Sequence, residues 1–226
     1  MEHKEPYHTE SLETCVRHRH IIRFYTDEDV DEHLLYQCIA LAQLAPSNSN
    51  IQNWRLHLAR GAARDRVVAA LRAEAEQKGP NIPELPENFK HYRSDLGRRM
   101  YGEEGYGIGR DEEDKRQWAT MRNFEFFGAP ICGILTTDAG LQPVDAMSVG
   151  MFAQTLMLAL TEQGLGTILE VSITGFPEVL RREFKLPENQ EILCGIAVGY
   201  PAKHNKVNDL VMSRDDVDKV VTFHHE

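Results

Sequence analysis

Residues 149–166 read VGMFAQTLMLALTEQGLG, and residues 191–199 read EILCGIAVG. From Val149 to Gln163 the first stretch is apolar almost all round at helical period, as expected of a helix at the centre of a fold. Gly164-Leu165-Gly166 ends it, since glycine takes the left-handed turn that closes a helix. The second stretch, Glu191–Gly199, is a short apolar run without alternation, as in a strand covered on both faces. A central helix beside a doubly covered strand requires further helices on both sides. The class is therefore α+β, about four strands in one sheet covered by helices.

The rest of the chain fits around that centre. Leu12–Ile22 reads as a first helix. TDEDVDEHLL (26–35) reads as a turn and a helix start capped by Asp31, and that helix is stopped by Pro46. Asn53–Ala59 alternates as a strand does, and Ile131–Thr137 is a short buried strand. Arg64–Gln77, Trp118–Phe127 and Glu178–Phe184 have helical patterns. Three prolines make Gly79–Glu87 a loop. Residues 1–10 read as a flexible start and the polar residues 202–226 as a tail ordered by a partner. The stretch 89–117 has weak apolar periodicity and reads as a mobile excursion or lid.

Length and charge narrow the function. With 226 residues the chain makes one domain that buries roughly 70% of its unfolded surface, without help from metal or disulfides. Lys and Arg total 25 against 35 Asp and Glu, a net charge of −10, which argues against a nucleic-acid partner. The four cysteines, Cys15, Cys38, Cys132 and Cys194, are too scattered for a zinc or redox motif and suit a reducing cytoplasm. The N-terminus lacks an export core. The apolar stretch Val144–Leu160 is interrupted by Asp145, Ser148 and Gln154 and reads as too short for a membrane span.

Three clusters carry chemistry. Arg17, His18, Arg19, His20 and Arg23 concentrate cations in an acidic protein, and arginine forks suit phosphate oxygens; a solvated face is the plainer alternative. Ala45–Trp54 (APSNSNIQNW) sets short hydroxyl and amide groups on a turn, as the polar edge of a cofactor would need. Gly164-Leu165-Gly166-Thr167 and Gly105–Gly109 do not have the spacing of a dinucleotide fingerprint. HExxH and GxSxG are absent from the sequence, so neither a zinc protease nor a hydrolase elbow is indicated.

The order of these pieces is more telling than any one of them. RxxxRFY at 19–25, APSxxNxQxW at 45–54, NFxFFGAP at 123–130, GMFAQTLMLALTEQGLGT at 150–167 and CGIAVGYP at 194–201 together resemble the FMN-dependent nitroreductase family, in particular its nitrobenzoate-reductase-like branch. The resemblance spans about Arg17 to Val221. It implies a sandwich with a central mixed sheet and an intertwined homodimer with FMN at the interface. The reaction it implies is ping-pong, with NADH or NADPH as donor and a nitroaromatic or similar small aromatic acceptor. Arg19, His20 and Arg214 match phosphate and ribityl contacts, and Arg23 matches the basic residue near the N1–C2=O edge of the ring. Pro46, Ser47, Asn48 and Asn50 match a loop laid on the cofactor by the other subunit, and Leu169 and Glu170 match the N5–O4 edge. In the lid, Arg93, Arg99 and Tyr106 are the expected substrate contacts. The chain departs from the family at Ile21 (commonly Ser), Asn53 (commonly Pro), Glu170 (usually Gln in the close branch) and Val211 (an arginine). The first and third leave a flavin-binding protein without turnover as an alternative, besides another flavin reaction such as dehalogenation, enone reduction or dehydrogenation. The Asn53 departure implies a less rigid entry to the strand.

Overall fold

The structure is a computed structural model and describes residues 11–225; the start at residues 1–10 lies outside the described residues. The elements in chain order are α1 (Leu12–His18), α2 (Glu32–Ala42), β1 (Arg55–Arg60), α3 (Gly61–Lys78), α4 (Lys90–Tyr101), α5 (Glu113–Met121), β2 (Ile131–Asp138), α6 (Pro143–Glu162), β3 (Gly166–Glu170), α7 (Pro177–Phe184) and β4 (Gln190–Gly199). The α+β class holds. The sheet runs β1-β2-β4-β3, and its three pairings are all antiparallel. The mixed character expected of it is confined, among the described residues, to an isolated parallel bridge between Ile21 and Thr167.

Both sheet faces are covered, and alternation along the strands divides the core in two. Ile131 and Leu135 of β2, with Ile196 and Val198 of β4, pack on α2 and α6 through Leu35, Cys38, Phe152 and Leu156. Cys132, Ile134 and Ala197 point the other way, onto Val67 and Leu71 of α3 and Val179 and Leu180 of α7. This period-two division of a fully buried strand explains why β2 and β4 read as unbroken apolar runs. Close approach fixes Gly133 at the β1–β2 crossing, where an added methyl would lie 2.4 Å from the His57 carbonyl oxygen and 2.6 Å from Leu58 Cδ2. Gly133→Ala is expected to destabilise the fold by about 1–3 kcal/mol in urea unfolding. Wild-type stability in that variant would show that β1 and β2 can separate freely.

Several boundaries differ from the sequence reading. The first helix stops at His18, so Arg19–Tyr25 is extended and presents its side chains alternately. α6 begins at Pro143, earlier than expected, with a capping box between Gln142 and Asp145. At 20 residues it is long enough to cross a membrane, contrary to the sequence reading, but half of it is buried inside the fold, as a core helix is. The lid stretch 89–117 is largely helical, formed by α4 and the start of α5. α4 buries no residue and is supported by ion pairs such as Arg98–Asp95 and Lys90–Glu87. α5 ends at Met121; the following turn carries Phe126 and Phe127 at φ 49° and 55°, ahead of Gly128 at φ 79°. Two buried non-glycine residues in the left-handed region are held there against about 1–3 kcal/mol of backbone strain each.

Candidate functional site

The extended segment Arg19–Tyr25 runs beside β3, with the Ile22 N–H donating to the Thr167 carbonyl at 3.1 Å. That pairing brings Arg23 to Glu170 at the far end of β3: burial lowers the Arg23 pKa, and Tyr106 and then the Glu170 carboxyl partly offset it. Tyr25, Tyr101 and Tyr106 act on Arg23 in the same direction as Glu170. Arg122 closes the arrangement. Its Nη2 donates to the Arg23 carbonyl at 2.6 Å and the Phe127 carbonyl at 2.7 Å. Its guanidinium lies over the Phe24 ring, 4.2 Å from the centroid. Arg122 thereby ties the strained 126–128 turn to the Arg23 segment.

Six buried side-chain polar atoms among the described residues have no hydrogen-bond partner. Four of them lie near Arg23: both carboxyl oxygens of Glu170, and the Tyr106 hydroxyl and Arg122 Nε, which lie close enough to each other for Arg122 to lower the Tyr106 pKa. Buried polar atoms in native proteins are nearly always paired, and each left unpaired costs about 1–3 kcal/mol. Such a concentration beside a buried guanidinium is what a polar, partly anionic ligand would relieve. Burial is also the leading cause of the high pKa of Glu170, well above the usual carboxylate range, and the positive charge of Arg23 only partly offsets it.

A second cationic point lies at the start of the same segment. Arg19 has its pKa lowered by burial and then by the charge of Arg214, so the fold brings together two arginines far apart in sequence. Arg214 donates to the Met212 and Ser213 carbonyls at 2.8 and 3.1 Å, which curls the tail around it. Two nearby like charges suit a multiply charged anion such as phosphate. His20 is turned aside, its Nδ1–H donating to the His18 carbonyl at 2.6 Å.

Pro46, Ser47, Asn48 and Asn50 lie on a different surface, anchored to the start of α6. The Asn48 amide donates to Asp145 Oδ1 at 3.2 Å, and Ser47 Oγ accepts from the Gln52 N–H at 3.0 Å. Ser49, Asn50 and Gln52 all have positive φ, so the loop is strained as well as exposed. Asn53 corrects the expectation of a loose strand entry. It is buried, and its amide donates to Thr137 Oγ1 at 2.9 Å and the Asp145 carbonyl at 3.0 Å.

The three lid residues part company. Tyr106 packs, partly buried, against Phe24, Tyr101 and Trp118 and adjoins Arg23. Arg93 donates to the Pro83 carbonyl, and Arg99 to Glu104 and the Val211 carbonyl, so both are committed elsewhere. Leu169 packs on the α2–α6 side of the core. Two residues that the sequence did not single out prove central. One is Arg122. The other is Asn208, whose Oδ1 accepts from the N–H groups of Arg23 and Phe24 at 2.9 and 3.0 Å and whose amide donates to the Phe24 and Ala202 carbonyls. Only the adjacency of Arg122 to the NFxFFGAP motif hinted at its role; a lone asparagine in a polar tail carried no signal. Three of the four thiols are weak nucleophiles: burial pushes Cys132 up to about 12 and Cys38 and Cys194 up to about 11.

Fold and site together define an α+β sandwich whose extended Arg19–Tyr25 segment presents a paired-arginine anion point and a buried cation ringed by unsatisfied polar groups. The nitroreductase family profile matches residues 16–200, and the chain belongs to that family. It is 32% identical over 212 residues to a 4-nitrobenzoate reductase of Pseudomonas putida, covering 92% of each chain. To nitroreductase NfnB of Mycolicibacterium smegmatis it is 31% identical over 220 residues, covering 95% of this chain and 93% of that one. Among solved structures, the FMN- and NADPH-dependent nitroreductase NfnB of Sphigopyxis sp. strain HMH superposes with a TM-score of 0.88 at 27% identity, over 96% of this chain and all of that one. An FMN-dependent NfnB from Mycobacterium smegmatis in complex with NADPH gives 0.86 at 29% identity, over 94% and 97% of the two chains.

Proposed function

We propose that this protein is an FMN-dependent oxidoreductase that takes hydride from NADH or NADPH and reduces a nitroaromatic or similar small aromatic acceptor. The observation that carries the reading is the meeting of Arg19 with Arg214 at one end of an extended segment whose other end holds Arg23 among orphaned buried polar atoms. A phosphate anchor and a cation-lined polar pocket on one strand fit the two ends of FMN, and relatives are named as FMN- and NADPH-dependent nitroreductases. FMN, when bound, supplies hydride acceptance and electron delivery. The chain's part is to hold, orient and electrostatically favour: Arg19 and Arg214 bind the phosphate, with His20 near the ribityl chain. Arg23, fixed through its backbone by Arg122 and Asn208, places positive charge where negative charge gathers on reduction. Leu169 and Glu170, at the end of β3 next to Arg23, would be the neighbours of the ring's N5–O4 edge. Tyr106, in its aromatic cluster, offers a face to a planar acceptor.

The second subunit belongs to the same reading. Val144, Met147 and Met151 stand exposed on α6 at 55%, 65% and 38%, and Leu44, after α2, is exposed at 79%. A stripe of that kind marks an interface, and a second copy of this chain is the occupant we infer. The loop Pro46–Asn50 then reaches the partner's cofactor. Val217, Val220 and Phe223, each at least 70% exposed, clasp the partner. The compartment we infer is the reducing cytoplasm, in keeping with free cysteines at Cys38, Cys132 and Cys194.

Two measurements test these assignments. Truncation after Leu210 keeps the Asn208 contacts but removes Arg214 and the exposed tail apolars, so sedimentation should show dissociation or aggregation together with loss of FMN. A truncated chain that stays a fully loaded dimer would refute the clasp. Tyr106→Ala should raise KM for an aromatic acceptor in the oxidative half-reaction while the rate of flavin reduction by NAD(P)H changes little. Arg93→Ala and Arg99→Ala serve as comparisons within the same helical segment. Unchanged acceptor kinetics in all three variants would remove the segment 89–117 from substrate selection.

A further inference from the structure

Glu170 sits at the end of β3, paired in register with Gly195 of β4, and is 3% exposed. Neither carboxyl oxygen meets a donor among the described residues. Arg23 is near enough to feel its charge, but no ion pair links the two among the described residues. The titratable groups that face it from neighbouring elements are Arg23 and Tyr25 of the extended segment and Cys132 of β2. Two of these three are neutral acids held protonated by burial, with pKa values raised; Arg23 is charged, and the guanidinium of Arg122, which acts on Tyr25 as Arg23 does, is the next charge in the cluster. An ionised carboxylate without hydrogen bonds in such a place bears a desolvation penalty of several kcal/mol. A neutral carboxylic acid avoids it.

We propose that Glu170 is a positioning residue held as the uncharged acid at neutral pH, so that Arg23 keeps an uncompensated positive charge for an anionic ligand. An ionised Glu170 would neutralise Arg23 internally and halve the positive charge that Arg23 and Arg122 bring to the pocket. Protonated, it has an O–H to donate and leaves both guanidinium charges uncompensated. The side chain is thus the opposite of a salt-bridge partner. The direction of its pKa agrees, raised by burial and only partly countered by Arg23. The consequence for flavin rests on the FMN reading of the previous subsection; the protonation state does not.

The sign of the linkage follows. A carboxyl whose folded pKa is raised gives stability that is fully present below the unfolded value, about 4.3. That stability is lost as pH rises toward the folded value, by up to tenfold in the unfolding constant per pH unit. Glu170→Gln is an uncharged isostere and lacks this loss. The ratio of wild-type to Glu170→Gln unfolding constants should therefore climb with pH from about 5 upward. In the infrared, full-length wild-type protein at pH 7 should show a protonated-carboxyl C=O band that shifts on labelling glutamate with 13C and is missing from Glu170→Gln. The isotope shift in wild type alone keeps the test valid if the variant misfolds. In a double-mutant cycle with Arg23→Gln, coupling below about tenfold is expected; a true buried ion pair, broken on one side, costs 3–5 kcal/mol, a coupling of several hundredfold or more. No such band together with a flat stability ratio, or a coupling of several hundredfold, would overturn the assignment. Because these readouts do not depend on bound flavin, a band in a protein that binds no FMN would fault only the cofactor reading. Absence of the band together with a flat stability ratio in a flavin-loaded protein would fault only this one.

Discussion

Replacing Arg19 by alanine is expected to weaken FMN binding by at least about 30-fold. Truncating a buried charge that meets an opposite charge costs about 2–5 kcal/mol, and each 1.4 kcal/mol is about tenfold in affinity. Arg19 is the partly buried member of the cationic run and the one that feels Arg214. Arg17, two residues away, is exposed and paired with Glu13 at 2.8 Å, so Arg17→Ala is the matched control. Titration of each apoprotein with FMN by fluorescence quenching gives the comparison. Arg214→Ala should fall with Arg19→Ala, and equal affinity in the Arg17 and Arg19 variants would refute the phosphate assignment.

Asn208→Ala should bring the largest loss of stability of any single change in the tail, about 3 kcal/mol. One side chain there meets the N–H groups of Arg23 and Phe24 and the carbonyls of Phe24 and Ala202. The Phe24 carbonyl would keep the Ala202 N–H at 2.9 Å, but alanine would leave the two N–H groups and the Ala202 carbonyl unpaired in a buried place, at about 1–3 kcal/mol for each group that water does not reach. Asn208→Asp, which keeps the acceptor but not the donor, should fall between. Urea unfolding followed by far-UV circular dichroism reads the effect, and FMN content should drop with it because the same asparagine holds the backbone of Arg23. A change below about 1 kcal/mol in the alanine variant would mean that water replaces the side chain and that the tail is not laced to the site.

The two halves of the account were unequally visible in the sequence. The central helix, the doubly buried strand at Gln190–Gly199 and the Asp31 cap were legible because each is a local pattern with one physical cause. β3 was not named as a strand: its five residues follow directly on Gly164-Leu165, and the glycine signal dominated. α4 reads as a loop because helical period is visible only when one face is buried, and α4 buries none. The cationic run announced an anion, but only the fold shows that Arg19, and not the exposed Arg17, meets Arg214. Glu170 read as a departure at one ring contact; its isolation from every donor is a tertiary fact. Asn208 and Arg122 act through backbone groups of distant residues, and such bonds leave no mark on composition or spacing.

Anaerobic stopped-flow spectroscopy of the purified protein tests the central claim most directly. The account predicts a yellow dimer carrying about one FMN per chain, bleached by NADH or NADPH and recoloured by 4-nitrobenzoate or a comparable nitroaromatic, with the donor leaving before the acceptor binds. A protein that takes up no FMN, or whose bound FMN neither nicotinamide reduces, would contradict it.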